Sequence, residues 1–312
     1  GGVGGNVSLS MSGGTVLGSL YGGGRNASVG TFFAKVDNDN YGKMQSGDDH
    51  GNITVTISGG EIGSANGMGN SSFSIGDVYG GSKGSTGDQK YDHGMVKNTT
   101  VTISSTAHIF SNVYGGGEMA SVGDYTYSGD NVDSCKVGTG RAIVTINGGT
   151  IGTPMTVASS VGDSTALKLG TVEREYGRTK HHKGHVFGGG LGIADPSYAA
   201  FSNVNTSLVT IGGTAQIIGS VFGGGENGHV MDSTHVKIQG GTVGMEMVDA
   251  EHTEDAHGLG YEIYFGNVYG GGRGIDIYGD NQHSLTAGQV YGNARVEMTG
   301  GRVTHNIYGG GS

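Results

Sequence analysis

The residues with the right chemistry for a reactive or binding site lie mostly between strand-like phrases, and each group can be tested against the spacing its chemistry needs. "GGSKGSTGD" at 80–88 has the residue types of a phosphate-cradling loop. Such a loop requires GxxxxGK followed by Ser or Thr, so that backbone N–H groups and the lysine converge on the phosphates. Here Lys83 precedes its glycine, which argues against a nucleotide site. "GGRGIDIY" at 271–278 satisfies the GGxGxD-apolar pattern that holds Ca²⁺ between successive turns. It makes Asp276 a candidate ligand, although that chemistry depends on consecutive copies and "GGVGGN" at 1–6 carries Asn where Asp is needed. The acidic run "DNDN" at 37–40 adds Asp37 and Asp39 as oxygen donors, in a composition that equally suits a solvated turn. Ca²⁺ in these loops is the one cofactor expectation.

Histidines cluster twice. "HHKGH" brings His181, His182 and His185 together, and "HTEDAH" offers His252, Glu254, Asp255 and His257. On a helix the first group would form a metal-ligand face. Gly184 and the polar surroundings argue for a loop, with its histidines in solvent.

Carboxylates for glycan cleavage would need to gather on one strand face beside Lys or Arg. The outward strand positions are instead mostly Ser and Thr. Glu118 and Glu226 follow glycine runs, where Arg25 and Arg273 stand in other copies. Stacked copies would set Glu226 beside Arg273 and Lys237 beside Glu297, as surface pairs worth about 0–1 kcal/mol each. The expectation is therefore not an enzyme.

These residues are set within a repeat of two alternating parts. One is a strand phrase with a period of two, mostly followed by paired glycines: "VSLSMSGGTV" at 7–16, "ITVTISGGEI" at 53–62, "VTISSTAHI" at 101–109, "IVTINGGTI" at 143–151, "LVTIGGTAQI" at 208–217, "VKIQGGTV" at 236–243 and "VEMTGGRV" at 296–303. The alternation puts Val55 and Ile57 on one face and Thr56 on the other. The outward column Ser10, Thr56, Thr102, Thr145, Thr210, Lys237 and Glu297 is polar throughout. The other part is an aliphatic residue, an aromatic and a glycine run, from "LYGGG" at 20–24 to "IYGGG" at 307–311. Its rings are Tyr21, Tyr79, Tyr114, Phe187, Phe222, Tyr269 and Tyr308, expected to stack as an internal ladder. The glycines after them are expected to take positive φ and let backbones approach at a corner.

Connections between the two parts vary in length, which suits stacked units that tolerate outward loops. The expected fold is all-β: a right-handed parallel β-helix (β-solenoid) of about seven coils, roughly 35 Å long at the spacing of adjacent strands. Residues 1–312 are read as one domain. The stretch 165–185 is expected to be an insertion hairpin or loop.

The bulk numbers agree with a folded β protein. Of 312 residues, 68 are glycine and only two are proline, without collagen's every-third-residue period. Only 14% are charged, and the net charge is −10. That makes nucleic acid and anionic membrane surfaces poor partners. No apolar run is long enough to span a membrane. Cys135 stands alone, which excludes an intrachain disulfide and leaves the compartment open. The chain opens on Gly1-Gly2, without an initiator Met or signal peptide, and stops in mid-phrase. A segment of a longer repeat protein or filament is expected.

The "GGTIG" and "GGEIG" phrases coupled to "VYGGG" resemble the glycine-rich repeats of large bacterial surface proteins with adhesin-like β-helices, including autotransporter passenger regions and repeat proteins of gut anaerobes. The resemblance covers nearly the whole chain, rests on repeat style and transfers no catalytic or binding residue. It implies a secreted, cell-surface or filamentous structural protein. The implied partners are other copies end to end, flanking repeats, or a glycan or host-surface ligand. The large insertions depart from regular adhesin rods and keep open an alternative: a β-helix that binds or cleaves polysaccharide with a site in its loops.

Overall fold

The computed structural model describes residues 1–30, 49–64, 76–85, 94–126, 136–153, 172–175, 178–182, 184–199, 201–244, 266–274, 277–278 and 282–312. Within them are 23 strands and one 3-10 turn, Pro196–Tyr198. The longer strands are β1 (Val7–Val16), β3 (Asn52–Ile62), β5 (Asn98–Ile103), β10 (Arg141–Ile146), β15 (Thr206–Ile211), β18 (Thr234–Val243) and β22 (Ala294–Val303). Two-residue strands carry the aromatics: β2 (Leu20–Tyr21), β4 (Val78–Tyr79), β7 (Val113–Tyr114), β14 (Val186–Phe187), β17 (Val221–Phe222), β19 (Val268–Tyr269) and β23 (Ile307–Tyr308). Three short strands follow glycine or Ser-Thr corners: β6 (His108–Ile109), β11 (Thr150–Ile151) and β16 (Gln216–Ile217). The remaining six form antiparallel hairpins in the insertions: β8 (Tyr125–Thr126) with β9 (Lys136–Val137), β12 (Val172–Glu175) with β13 (Arg178–His182), and β20 (Ile277–Tyr278) with β21 (Gln282–His283).

Each long strand pairs in parallel with the corresponding strand of the next repeat, like residue on like. Val55 faces Val101, Val101 faces Val144, Val144 faces Val209, and Val209 faces Val236. All five are fully buried, as are Ile57, Ile103, Ile146, Ile211 and Ile238 beside them. Each such side chain contributes roughly 1.5–3 kcal/mol of burial. A one-residue slip would turn both apolar columns to solvent, so the alternation fixes the register. The aromatic strands form a second parallel sheet in chain order, β2-β4-β7-β14-β17-β19-β23.

The expected open β-helix of coils is corrected by the larger sheet. Its ladder runs β3-β5-β10-β15-β18-β16-β11-β6 and returns to β3, a closed circuit of eight parallel strands and, in connectivity, a parallel β-barrel. The closure has a local cause. β3 and β18 continue through their glycine pairs as single strands, so each bonds to two different strands: β3 to β5 and β6, β18 to β15 and β16. In the three repeats between them the chain breaks at the same corner into a long and a short strand. Register shifts at Met11/Ser12 and Ile238/Gln239 mark where the continuous strands bulge to turn it.

The glycine roles are also redistributed. Positive φ occurs at the corner after the long strand, as at Gly149 (φ 80°), where Ser105 (φ 56°) does the same work in the preceding repeat, and again past the short strand, as at Gly152 (φ 94°). The glycines of the aromatic phrase stay outside the left-handed region. They are needed for space alone: a Cβ on Gly115 would lie 2.3 Å from the carbonyl oxygen of Gly188 on the next rung.

Candidate functional site

Seven rings stack along the aromatic sheet. Centroids lie 4.8 Å apart for Tyr21–Tyr79, Tyr79–Tyr114, Phe187–Phe222 and Phe222–Tyr269, 5.0 Å for Tyr114–Phe187 and 4.9 Å for Tyr269–Tyr308, with planes within 11° of parallel. Isolated aromatic pairs prefer offset or edge-on contact. Here the spacing is that of adjacent hydrogen-bonded strands, so the backbone sets the geometry and the rings follow it.

A mostly charged column, interrupted by Leu191, flanks this stack at the position after the glycine runs. Parallel bridges link Arg25 to Lys83, Lys83 to Glu118, Glu118 to Leu191, and Glu226 to Arg273. The Lys83 ammonium lies 2.6 and 2.7 Å from the two Glu118 oxygens and 5.3 Å from the Tyr21 ring centre. The Tyr21 hydroxyl also donates to Glu118. Burial, and then Glu118, raises the Tyr21 pKa well above that of an ordinary phenol. Further along, Glu226 accepts from the Tyr114 hydroxyl at 2.5 Å and lies 3.5 Å from the Arg273 guanidinium. The Arg273 and Glu226 side chains are only 5% and 11% exposed, so this is a buried pair and not the surface pair expected from sequence. Burial and the Glu226 charge push the Tyr114 hydroxyl pKa upward. Phe187 and Phe222 lack a hydroxyl, but those of Tyr21 and Tyr114 are fully used.

Sequence reasoning missed a second column, one residue before each aliphatic-aromatic pair. Ser19 Oγ accepts the Asp77 N–H at 3.1 Å, Asp77 Oδ1 that of Asn112 at 3.0 Å, and Asn112 Oδ1 that of His185 at 3.0 Å. His185 Nδ1 accepts from Ser220 N–H at 2.8 Å, Ser220 Oγ from Asn267 at 3.1 Å, and Asn267 Oδ1 from Asn306 at 3.0 Å. Each side chain thus satisfies a backbone donor one rung along the stack. The common signal is a short acceptor before the aliphatic residue. It was hidden because Ser, Asp, Asn and His all serve. A ring nitrogen that accepts carries no proton, so His185 is neutral with its proton on Nε2. It is fully buried, which corrects the expectation of a solvent-exposed loop histidine.

A third set of bonds ties the two sheets together. Hydroxyls of Thr99, Ser207 and Thr234 donate to the carbonyls of Gly115, Gly223 and Gly270 at 2.6, 2.5 and 2.5 Å.

The other sequence candidates fall elsewhere. Asp37, Asp39 and Asp276 lie outside the described residues, as do His252, Glu254, Asp255 and His257. His181 and His182 lie on β13, where only the backbone is described. Lys83 is engaged by Glu118, not poised over a phosphate loop. Lys237 is in register with Glu297, but Glu297 bonds Arg295 at 3.1 Å and lies 3.4 Å from His235. Among the described residues, no three His, Cys, Asp or Glu side chains are grouped to hold a metal ion, and no helix is long and apolar enough to cross a membrane. Glu118 and Glu226 are both held by a cation and a phenol, an arrangement that binds rungs together. No family model, curated protein or solved structure matches the chain.

Proposed function

We propose that this chain is an extracellular structural and adhesive element, surface-attached or filament-forming, in which the repeat stack is continued by edge pairing onto flanking repeats or another copy. The observation that carries this reading is the contrast between the last rung and the one before it. Met298, Ile307 and Tyr308 are 43%, 45% and 42% exposed, whereas their neighbours Ile238, Val268 and Tyr269 are 0%, 0% and 4% exposed. The outer edges of β22 and β23 therefore present an apolar side chain and a ring face in the pattern that β18 and β19 offer to them. Such an edge is a template for another strand. A protein built on backbone ladders, with Glu118 and Glu226 tied to Lys83 and Arg273, suits load-bearing better than turnover.

Light scattering and electron microscopy over a concentration series test the assembly. End-to-end particles that lengthen with concentration, and shorten when Ile307→Lys and Met298→Lys are introduced together, are expected. A monomer of constant mass at every concentration would overturn self-assembly as the mode of continuation.

A further inference from the structure

The corner between long and short strands has two lengths. In the repeats ending at Ile109 and Ile217 the corner carries one extra residue, reading Ser104-Ser105-Thr106-Ala107 and Gly212-Gly213-Thr214-Ala215. The repeat between them turns more tightly through Asn147-Gly148-Gly149. Ser105, Thr106 and Thr214 are exposed, and Gly149 and Thr150 lie lower between them. The outcome is an open groove of about 500 Å³ running across four successive rungs, with Glu61, His108, Thr150 and Gln216 in register along it.

We propose that this groove binds a neutral oligosaccharide chain laid along the rungs. Its lining is polar and regularly repeated: the hydroxyls of Thr106, Thr150 and Thr214, the amide of Gln216 and the carboxylate of Glu61. Each rung of about 4.8 Å, close to the length of one pyranose unit, carries at least one of these groups, and the last carries both Thr214 and Gln216. Donors and acceptors so arranged can pair with successive sugar hydroxyls. The His108 ring is held by a contact between its Nε2 and the Gly152 carbonyl at 2.9 Å. It packs on Phe110 at 3.9 Å between centroids, which makes a rigid ring surface beside the polar track. Among the described residues, the groove is lined by one carboxylate and by no lysine or arginine, so polyanionic chains are disfavoured. The site lies on the turns of the stack and not in the insertions. It gives the adhesive reading a ligand class while standing independently of end-to-end assembly.

Calorimetric titration with maltohexaose, cellohexaose and chitohexaose, and with an oligogalacturonide as the anionic comparison, tests this site. At least one neutral chain is expected to bind. Gln216→Ala combined with Thr214→Ala, both exposed positions, is expected to weaken it about tenfold, equivalent to about 1.4 kcal/mol. Thr56→Val, on the long-strand face, should leave binding unchanged, and circular dichroism confirms that each variant is folded. No heat with any neutral chain at millimolar concentration, stronger binding of the oligogalacturonide, or binding indifferent to the groove variants would each overturn the proposal. None of these results bears on the length of the particles, so the two readings fail separately.

Discussion

The Tyr114 hydroxyl donates to Glu226 at 2.5 Å although 112 residues separate them in sequence and Phe187 stands on the rung between. Tyr21 and Glu118 repeat the relationship, with Tyr79 between. Glu226 is the more buried carboxylate and depends on Arg273 as well as the phenol. Arg273→Met should leave a buried charge uncompensated and cost about 3–5 kcal/mol. Tyr114→Phe, which removes the bond to Glu226 and the one the hydroxyl accepts from Asn112 Nδ2 at 3.1 Å, should cost about 1.5–3 kcal/mol for the charged partner alone. Urea unfolding of the two variants orders them, and equal losses would show that the ion pair carries no more than the phenol.

Removing one acceptor from the polar column should loosen a specific amide. Asn112→Ala strands the buried His185 N–H at a cost of about 1–3 kcal/mol. Hydrogen exchange at the His185 amide should accelerate, while the amide of Asn306, at the far end of the column, keeps its protection.

The two kinds of glycine predict different failures. Gly149→Ala places an L-residue at φ 80° with its Cβ 2.5 Å from the Ala107 carbonyl oxygen. The backbone conformation alone should cost about 1–2 kcal/mol, with the clash against the Ala107 rung added to it. Gly115→Ala instead drives a Cβ into the next rung at 2.3 Å and should open the stack itself. Thermal unfolding should show the larger loss for Gly115→Ala.

Acid should weaken the fold through His229. Burial lowers its pKa from 6.5 to about 4, and its Nδ1 has no hydrogen-bond partner among the described residues. Between those values the unfolded chain binds the extra proton, so stability is full above pH 6.5, falls as pH drops, and levels off below about pH 4. The shift corresponds to roughly 3 kcal/mol. Denaturation at stepped pH should show this slope in the parent chain and a smaller one in His229→Gln.

Much of the strand framework is legible in the sequence because a period of two leaves no choice of face: Val144 and Ile146, or Val236 and Ile238, must point inward together. The closed circuit was not legible. It depends on whether Gly59-Gly60 or Gly240-Gly241 continues a strand or breaks it, and Gly148-Gly149 looks the same on the page while doing the opposite. The left-handed corner was hidden for a related reason, since glycines serving conformation and glycines serving close approach are spelled alike. Of the site, the rings and the Glu226–Arg273 neighbours could be read from spacing. The burial of that pair could not, because it follows from the Tyr114 hydroxyl reaching across two rungs.

The rung bearing Tyr114 also bears Glu118, so the two long-range clasps share it: one reaches back to Tyr21, the other forward to Glu226 and on to Arg273. Tension applied along the stack would therefore meet a latched block reaching as far as Arg273, which must yield together.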